Sequence, residues 1–489
     1  MSQTSTTHTF ATGLTWTDVP GDDCVALFII PTPTIDDSGI AHICEHLVFR
    51  YSQYYPEPHN LFALTALTPC EINASSQNNE TLFFVTAPDK ASLKHLVRFI
   101  YAGLQCITYN EKDVELERDG VIFQELSFYE HQPHYQRMIK MWRDDARLHK
   151  YYHWGGYSDT INQVSLIDII AYKKQFYSAE NIHCLSTGLD ASFWEDTTAM
   201  IPSIDEQVQF AQRKTVTAER YSLDDIYYPK SFTFAKSEDL VSSWWLAADL
   251  HAFCIAHEDI WQRRFSDLMI EPYLNQNKKF AIRITQSDWQ EVGTYLHDFI
   301  REHWSYDMQA ENLDHKFPPS IKKLLRCKES DEPQQLSFSR TMAPYQVLQT
   351  QPNSTRMGKL PGTRPITLPH YTKPATTANI VHDISCTTDI RHASCPKHIE
   401  ALYHRAITMQ HDFTERMYCE TEQWIALLPI SPDGLNTKLL SSVPWEPRIS
   451  GDCYAMGYFV KENQCYLWAV SDKCISTRQA WIDTIFEHA

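Results

Sequence analysis

The sequence predicts an α+β fold spread over more than one structural unit, and three observations predict it. At 489 residues the chain exceeds what one hydrophobic core organises, so about two to four domains are expected. Strand-like apolar runs alternate with stretches of helical spacing through residue 203, and a second cycle of the same kind follows from residue 237. Between them, residues 204–236 are polar and irregular and read as a linker.

Each element has its own reason. Cys24 to Pro31 (CVALFIIP) is a short continuous apolar run, the pattern of a buried strand. Asp36-Asp37-Ser38-Gly39 then offers helix-capping residues ahead of a helix carrying His42 and His46. Glu71 to Ala74 and Thr81 to Thr86 read as two strands joined by the polar turn Gln77-Asn78-Asn79. Leu93, Leu96, Val97, Ile100 and Leu104 recur at helical spacing between Lys90 and Leu104. Further helices are expected from Glu111 through Tyr129 and from Ser165 to Tyr177, ahead of a strand from Asn181 to Thr187. In the second cycle Trp244 to Leu250 is strand-like, and Ile260 to Ile270 and Asp288 to Trp304 are helical. Prolines recur between Pro318 and Pro374, which predicts an extended connector. Ala378 to Ile384, Trp424 to Leu428 and Cys453 to Val470 supply strands, with a closing helix from Ser476.

Composition narrows the function. With 43% hydrophobic and 21% charged residues the chain is that of an ordered protein, and it has no apolar run long enough to span a bilayer. A formal charge of −18 argues against nucleic acid as a partner, because phosphate binding needs clustered Lys and Arg. The acidity is either a solubility device or an acidic interior that attracts basic peptides. Thirteen cysteines in no framework spacing fit reduced thiols, and the first residues lack the basic and apolar regions of a secretory leader, so a cytoplasmic location is expected.

His42-Ile43-Cys44-Glu45-His46 carries the most chemistry. On a helix the two imidazoles stand one turn apart on one face and can reach a single metal ion at about 2.0–2.1 Å. Glu45 borders that face, placed as a general base toward water. The order is H-x-x-E-H, the inverse of the commoner zinc-peptidase motif. A solvated His/Glu face would read the same way in isolation. A catalytic zinc needs a third protein ligand, and the chemistry alone leaves Glu115, Glu117, Glu125 and Glu130 open.

The segment from Ser38 to Phe49 resembles the signature of the insulinase/pitrilysin family of zinc metallopeptidases, and Cys44 is similar to its insulin-degrading branch. Tyr55-Pro56 and Gly120-Val121-Ile122-Phe123-Gln124-Glu125 also resemble family segments. The resemblance covers Cys24 to about Leu189, weakens from Pro202 to Pro374 and returns near Arg448. It implies two related α/β-sandwich domains, each an antiparallel-rich sheet with helices on one face, forming half of a clamshell: residues 1–203 as the zinc-binding domain and 237–489 as a second family-type domain. It implies one zinc ion per chain held by His42, His46 and Glu125, with Glu45 activating water for peptide hydrolysis. Asn73-Ala74-Ser75 is similar to the family's edge strand, on which a substrate pairs as an added strand. Arg448 and Tyr454, six apart, resemble the Arg/Tyr pair of the presequence-protease branch, with Asp452 and Cys453 replacing a Gly and an Ala. Glu117 sits eight residues before Glu125, whereas some members carry an acidic residue seven before, so its role stays open.

In longer relatives that pair and the zinc helix lie in opposite halves. The resemblance therefore implies a homodimer in which one chain lends Arg448 and Tyr454 to the zinc of the other, or a heterodimer with a related subunit. The activities this leaves are a general zinc endopeptidase, a narrow processing protease for a precursor or leader peptide, and a non-catalytic structural homologue.

Overall fold

The computed structural model describes residues 5–57, 61, 70–76, 80–131, 152–204, 216, 230–236, 257–265, 270–274, 279–284, 397–411, 413, 417–420, 422–428 and 445–488, with isolated residues between 291 and 324. Strands β1 (Thr6–Thr9), β2 (Thr15–Asp18) and β3 (Val25–Pro31) precede helix α1 (Ile40–Arg50). The hairpin strands β4 (Glu71–Ser76) and β5 (Glu80–Thr86) lead into α2 (Lys90–Leu104). Next come α3 (Glu111–Glu115), a π-helical segment (Leu116–Ile122) and α4 (Phe123–Glu130), a single rod with one overwide stretch in its middle. Helix α5 (Leu166–Phe176), strand β6 (His183–Thr187) and helix α6 (Ala191–Met200) complete the first unit.

These strands form one six-stranded sheet in the order β1-β2-β6-β3-β5-β4. Only the β2–β6 pair is parallel; the other pairs are antiparallel. Together with its helices this makes the α+β fold the sequence predicts.

Period-two alternation divides β3 between two cores. Ala26, Phe28 and Ile30 point toward α1 and α2, while Val25, Leu27 and Ile29 join Leu82, Phe84, Leu185, Ile321 and Leu324 on the opposite face. Burial on both faces is why the strand reads as an unbroken apolar run. The covering of that second face was not read from the sequence. Ile321 and Leu324 fall where an extended proline-rich connector was expected, yet both are helical and fully buried. Most of that connector, the strand expected from Trp244 to Leu250 and the one from Ala378 to Ile384 lie outside the described residues.

Two smaller sheets follow. Strand β7 (Lys230–Lys236), helix α7 (Glu258–Arg264) and strands β8 (Ile270–Leu274) and β9 (Lys279–Ile284) give a three-stranded antiparallel sheet in the order β7-β9-β8. The end of the expected linker is thus a strand, and the helix expected through Ile270 stops at Arg264. Helix α8 (Lys397–Thr408) precedes a second antiparallel sheet, of order β10-β11-β13-β12, made by β10 (Tyr418–Glu420), β11 (Gln423–Leu427), β12 (Ala455–Lys461) and β13 (Gln464–Val470). A short helix α9 (Glu446–Ile449) enters β12, and α10 (Ile475–His488) closes the described chain.

Trp424, Met456 and Leu467 from this C-terminal sheet, with Trp445 and Cys453 from the segment that leads into β12, belong to the same continuous apolar core as α1, α2 and α5. The two ends of the chain therefore pack on each other directly. Among the described residues no helix is long and apolar enough to cross a membrane, and the described cysteines are free thiols.

Candidate metal centre

Helix α1 begins at a forced backbone turn. Gly39 has φ 69°, and a Cβ there would stand 2.5 Å from the carbonyl oxygen of Gly155. The expected capping residues do other work, since no side chain caps this helix. Asp36 accepts from the Val216 amide, and Asp37 accepts from the His153 amide at 2.9 Å. Both hold the helix start against loops distant in sequence. Within the 153–157 loop His153 is stacked on Trp154 and Tyr157 as a packing histidine.

That loop aims the first imidazole. His42 Nδ1 lies 3.1 Å from the Gly155 carbonyl oxygen, which can only accept, so Nδ1 carries the proton and Nε2 faces away from the loop. His46 is fixed in the same sense by a different partner: its Nδ1 lies 3.1 Å from Glu117 Oε2. Both remaining Nε2 atoms converge on one oxygen of Glu125, Oε2, at 3.4 Å from His42 and 3.3 Å from His46. A tetrahedral ion bonded at 2.0–2.1 Å separates its ligand atoms by about 3.3–3.4 Å. The ligand atoms of His42, His46 and Glu125 all lie within 4.8 Å of one another, and they are the metal-type cluster found among the described residues. Two imidazoles and a carboxylate, with both outward nitrogens already engaged, fit a zinc ion.

Burial by itself lowers an imidazole pKa, but the neighbouring carboxylates outweigh it: His42 is raised, and His46 is raised to about 9 by Glu117 and Glu125. Burial likewise opposes ionisation of Glu125, yet the two rings hold it well below the usual carboxylate range.

The other carboxylates considered as ligands are placed elsewhere. Glu115 is exposed, and Glu130 binds the amide and hydroxyl of Ser158. Glu117 is buried and sits behind His46. Eight positions along a regular α-helix overshoot the starting face by about 80°. The π-helical stretch between Glu117 and Glu125 absorbs the extra residue, so both carboxylates reach one ring.

Arg50, absent from the sequence reading, completes this layer. Its guanidinium donates to Glu117 Oε1 at 2.7 Å and to the Ile449 carbonyl at 3.0 Å. Its position four after His46 was a legible same-face signal. Burial again opposes ionisation of Glu117, but Arg448, His46 and Arg50 overcome it and hold the carboxyl charged.

Arg448 and Tyr454 require a correction. They were expected too far from the zinc helix of their own chain to meet it, and hence to serve a partner. In this structure they meet it in cis. Arg448 Nη1 is 3.5 Å from both oxygens of Glu117, and the Tyr454 hydroxyl is 3.3 Å from that of Tyr129. The common core described above is what draws them in. Asn73, Ala74 and Ser75 lie on β4, the terminal strand of the six-stranded sheet.

The inverted H-x-x-E-H helix thus meets a glutamate from a second helix within an α+β framework. Residues 34–150 match the family described as Insulinase (Peptidase family M16). It is 24% identical over 175 residues to an uncharacterized protein of Saccharomyces cerevisiae, a match that spans 33% of this chain and 17% of that relative's length. Among solved structures it is similar to a protease from Helicobacter pylori, at 16% identity and a TM-score of 0.42 over 67% of this chain and 84% of that one. It is also similar to the first half of the periplasmic protease PqqL from Escherichia coli, at 14% identity and a TM-score of 0.38 over 70% of this chain and 85% of that one.

Proposed function

We propose that the chain is a zinc-dependent endopeptidase acting on peptides or unfolded segments, with His42, His46 and Glu125 holding one zinc ion. The observation that carries this reading is the convergence of both Nε2 atoms on one Glu125 oxygen at 3.3–3.4 Å, the edge length of a tetrahedral site. A bound zinc supplies Lewis-acid polarisation and a nucleophilic water near neutral pH.

The chain's own groups do the rest. Glu45, half-buried one turn after His42, takes a proton from the attacking water and returns it to the leaving amine. The substrate lies along Asn73-Ala74-Ser75, because β4 ends its sheet and its outer edge can take an added strand. Main-chain pairing there explains tolerance of varied sequences. Tyr454, tied to Tyr129, stands near enough to Glu125 that, after burial, this carboxylate raises its pKa; the phenol stays protonated and can donate to the oxyanion. A second copy of the chain or a related subunit encloses the peptide.

Metal analysis of wild type and Glu45→Gln, followed by digestion of a mixed peptide library, tests this. Zinc retained by both and cleavage by wild type alone is the expected result. Zinc-loaded wild type that cleaves nothing in the library would refute the endopeptidase reading.

A further inference from the structure

The segment 446–454 makes a set of contacts that substrate binding does not require. Gly120, inside the π-helical stretch, meets Gly451 so closely that a Cβ on Gly120 would stand 2.8 Å from the Gly451 Cα and carbonyl oxygen. Gln124 donates to that same carbonyl at 2.8 Å. Arg50 donates to Ile449, and Arg448 reaches Glu117. Three of these contacts fall on the one stretch of helix that carries Glu117 and leads to Glu125, and the fourth falls on Arg50 of α1, which itself donates to Glu117. Glu117 accepts from Arg50 on one oxygen and from His46 on the other, with Arg448 spanning both.

We propose that Arg448 is a positioning residue of the metal centre, clamping Glu117 together with Arg50 so that docking of the C-terminal segment onto the π-helical turn sets the chain's metal affinity. The proposal rests on the zinc reading above and goes beyond it by giving Arg448 a role that needs no substrate. The physical basis is orientation. An imidazole whose Nδ1–H is held by a fixed carboxylate presents Nε2 along one direction and is a stronger donor, whereas a loose carboxylate lets the ring swing. Glu117 is 3% exposed, so a lost guanidinium is not replaced by bulk water. Arg448 meets both carboxylate oxygens through the one nitrogen Nη1 at 3.5 Å, so a Lys would keep the charge but not the reach or planarity of the guanidinium.

The test is zinc affinity of the full chain, measured by competition with a chromophoric chelator and independent of any substrate. Arg448→Met is expected to bind zinc about 10-fold more weakly, the lower end of what lost support of a metal-bound His costs. Arg448→Lys should fall between it and wild type, and it serves as the readout if the Met variant fails to fold. Glu117→Gln should weaken binding at least as much, and adding Arg448→Met to it should cost little more, because the arginine acts through that carboxylate. Arg448→Met or Arg448→Lys with wild-type zinc affinity would overturn the proposal, and a loss confined to KM would assign the arginine to substrate instead. Wild type that takes up no zinc would overturn the metal reading itself, a separate and recognisable failure.

Discussion

His46 Nδ1 and Glu117 Oε2 stand 3.1 Å apart although 71 residues separate them, and a π-helical turn puts them there. The contact gives a histidine on a helix face a protonated Nδ1 and a fixed ring direction, leaving Nε2 as the atom that can take a metal. Several measurable consequences depend on it or on its neighbours.

Glu45→Gln should keep its zinc and lose turnover. The amide preserves size but cannot take a proton, and general acid–base catalysis contributes about 10²–10⁴-fold. Steady-state cleavage beside metal stoichiometry checks both halves; a variant as active as wild type would remove Glu45 from the chemistry.

Zinc uptake should be pH-dependent in a set direction. In the metal-free chain His46 is raised from 6.5 to about 9, so its contribution to stability is complete below about pH 6.5 and is lost as pH rises through 9. Zinc needs the neutral ring, so affinity should climb over that same interval. Thermal melts with zinc and with chelator, at pH 6 and pH 9, should show the larger zinc-induced gain at pH 9.

Gly120→Ala should destabilise the chain by about 1–3 kcal/mol, the cost of forcing a methyl into a filled contact. The clash is with Gly451 backbone, which cannot rotate away as a side chain would. Denaturant unfolding reads the loss; an unchanged midpoint would mean the two segments do not touch in solution.

Lys173 gives a pH signature unconnected with the metal. It is fully buried, donates to the Gly103 carbonyl at 2.8 Å and to the Tyr109 hydroxyl at 2.6 Å, and burial lowers its pKa from 10.5 to about 8. Below pH 8 the folded chain carries a buried ammonium; between about pH 8 and 10.5 that burden is relieved, by up to about 3 kcal/mol. The stability of wild type relative to Lys173→Met should therefore rise across that interval, the comparison cancelling the cysteines and tyrosines that titrate there too. A flat difference would refute the shift.

Much of this was legible because it is local. Spacing of three and four marks a helix face, so His42, Glu45 and His46 could be read together, and Arg50 with them had the same count been carried one turn further. Apolar runs marked β3 and β5, and helical spacing marked α2 and α5. The short threonine-rich strands β1 and β2 escaped, since four residues with at most one apolar side chain carry no periodic signal and are ordered by pairing with each other and with β6. Gly39 could be seen to begin the helix, but not that its bareness answers a carbonyl 116 residues away.

The sequence by itself determined the inverted motif and the α+β framework, and its resemblance singled out Glu125, 79 residues past His46, from four candidate glutamates. What only the tertiary structure decided is how those donors are aimed and by which parts of the chain. Glu117 faces His46 because hydrogen bonding over five residues re-phases a helix, which no letter in the sequence announces. Arg448 reaches Glu117 within its own chain because a shared apolar core draws the C-terminal sheet onto the helices that carry His46 and Glu117. Burial of that kind is a sum over many distant side chains, and it exists only once the chain has folded.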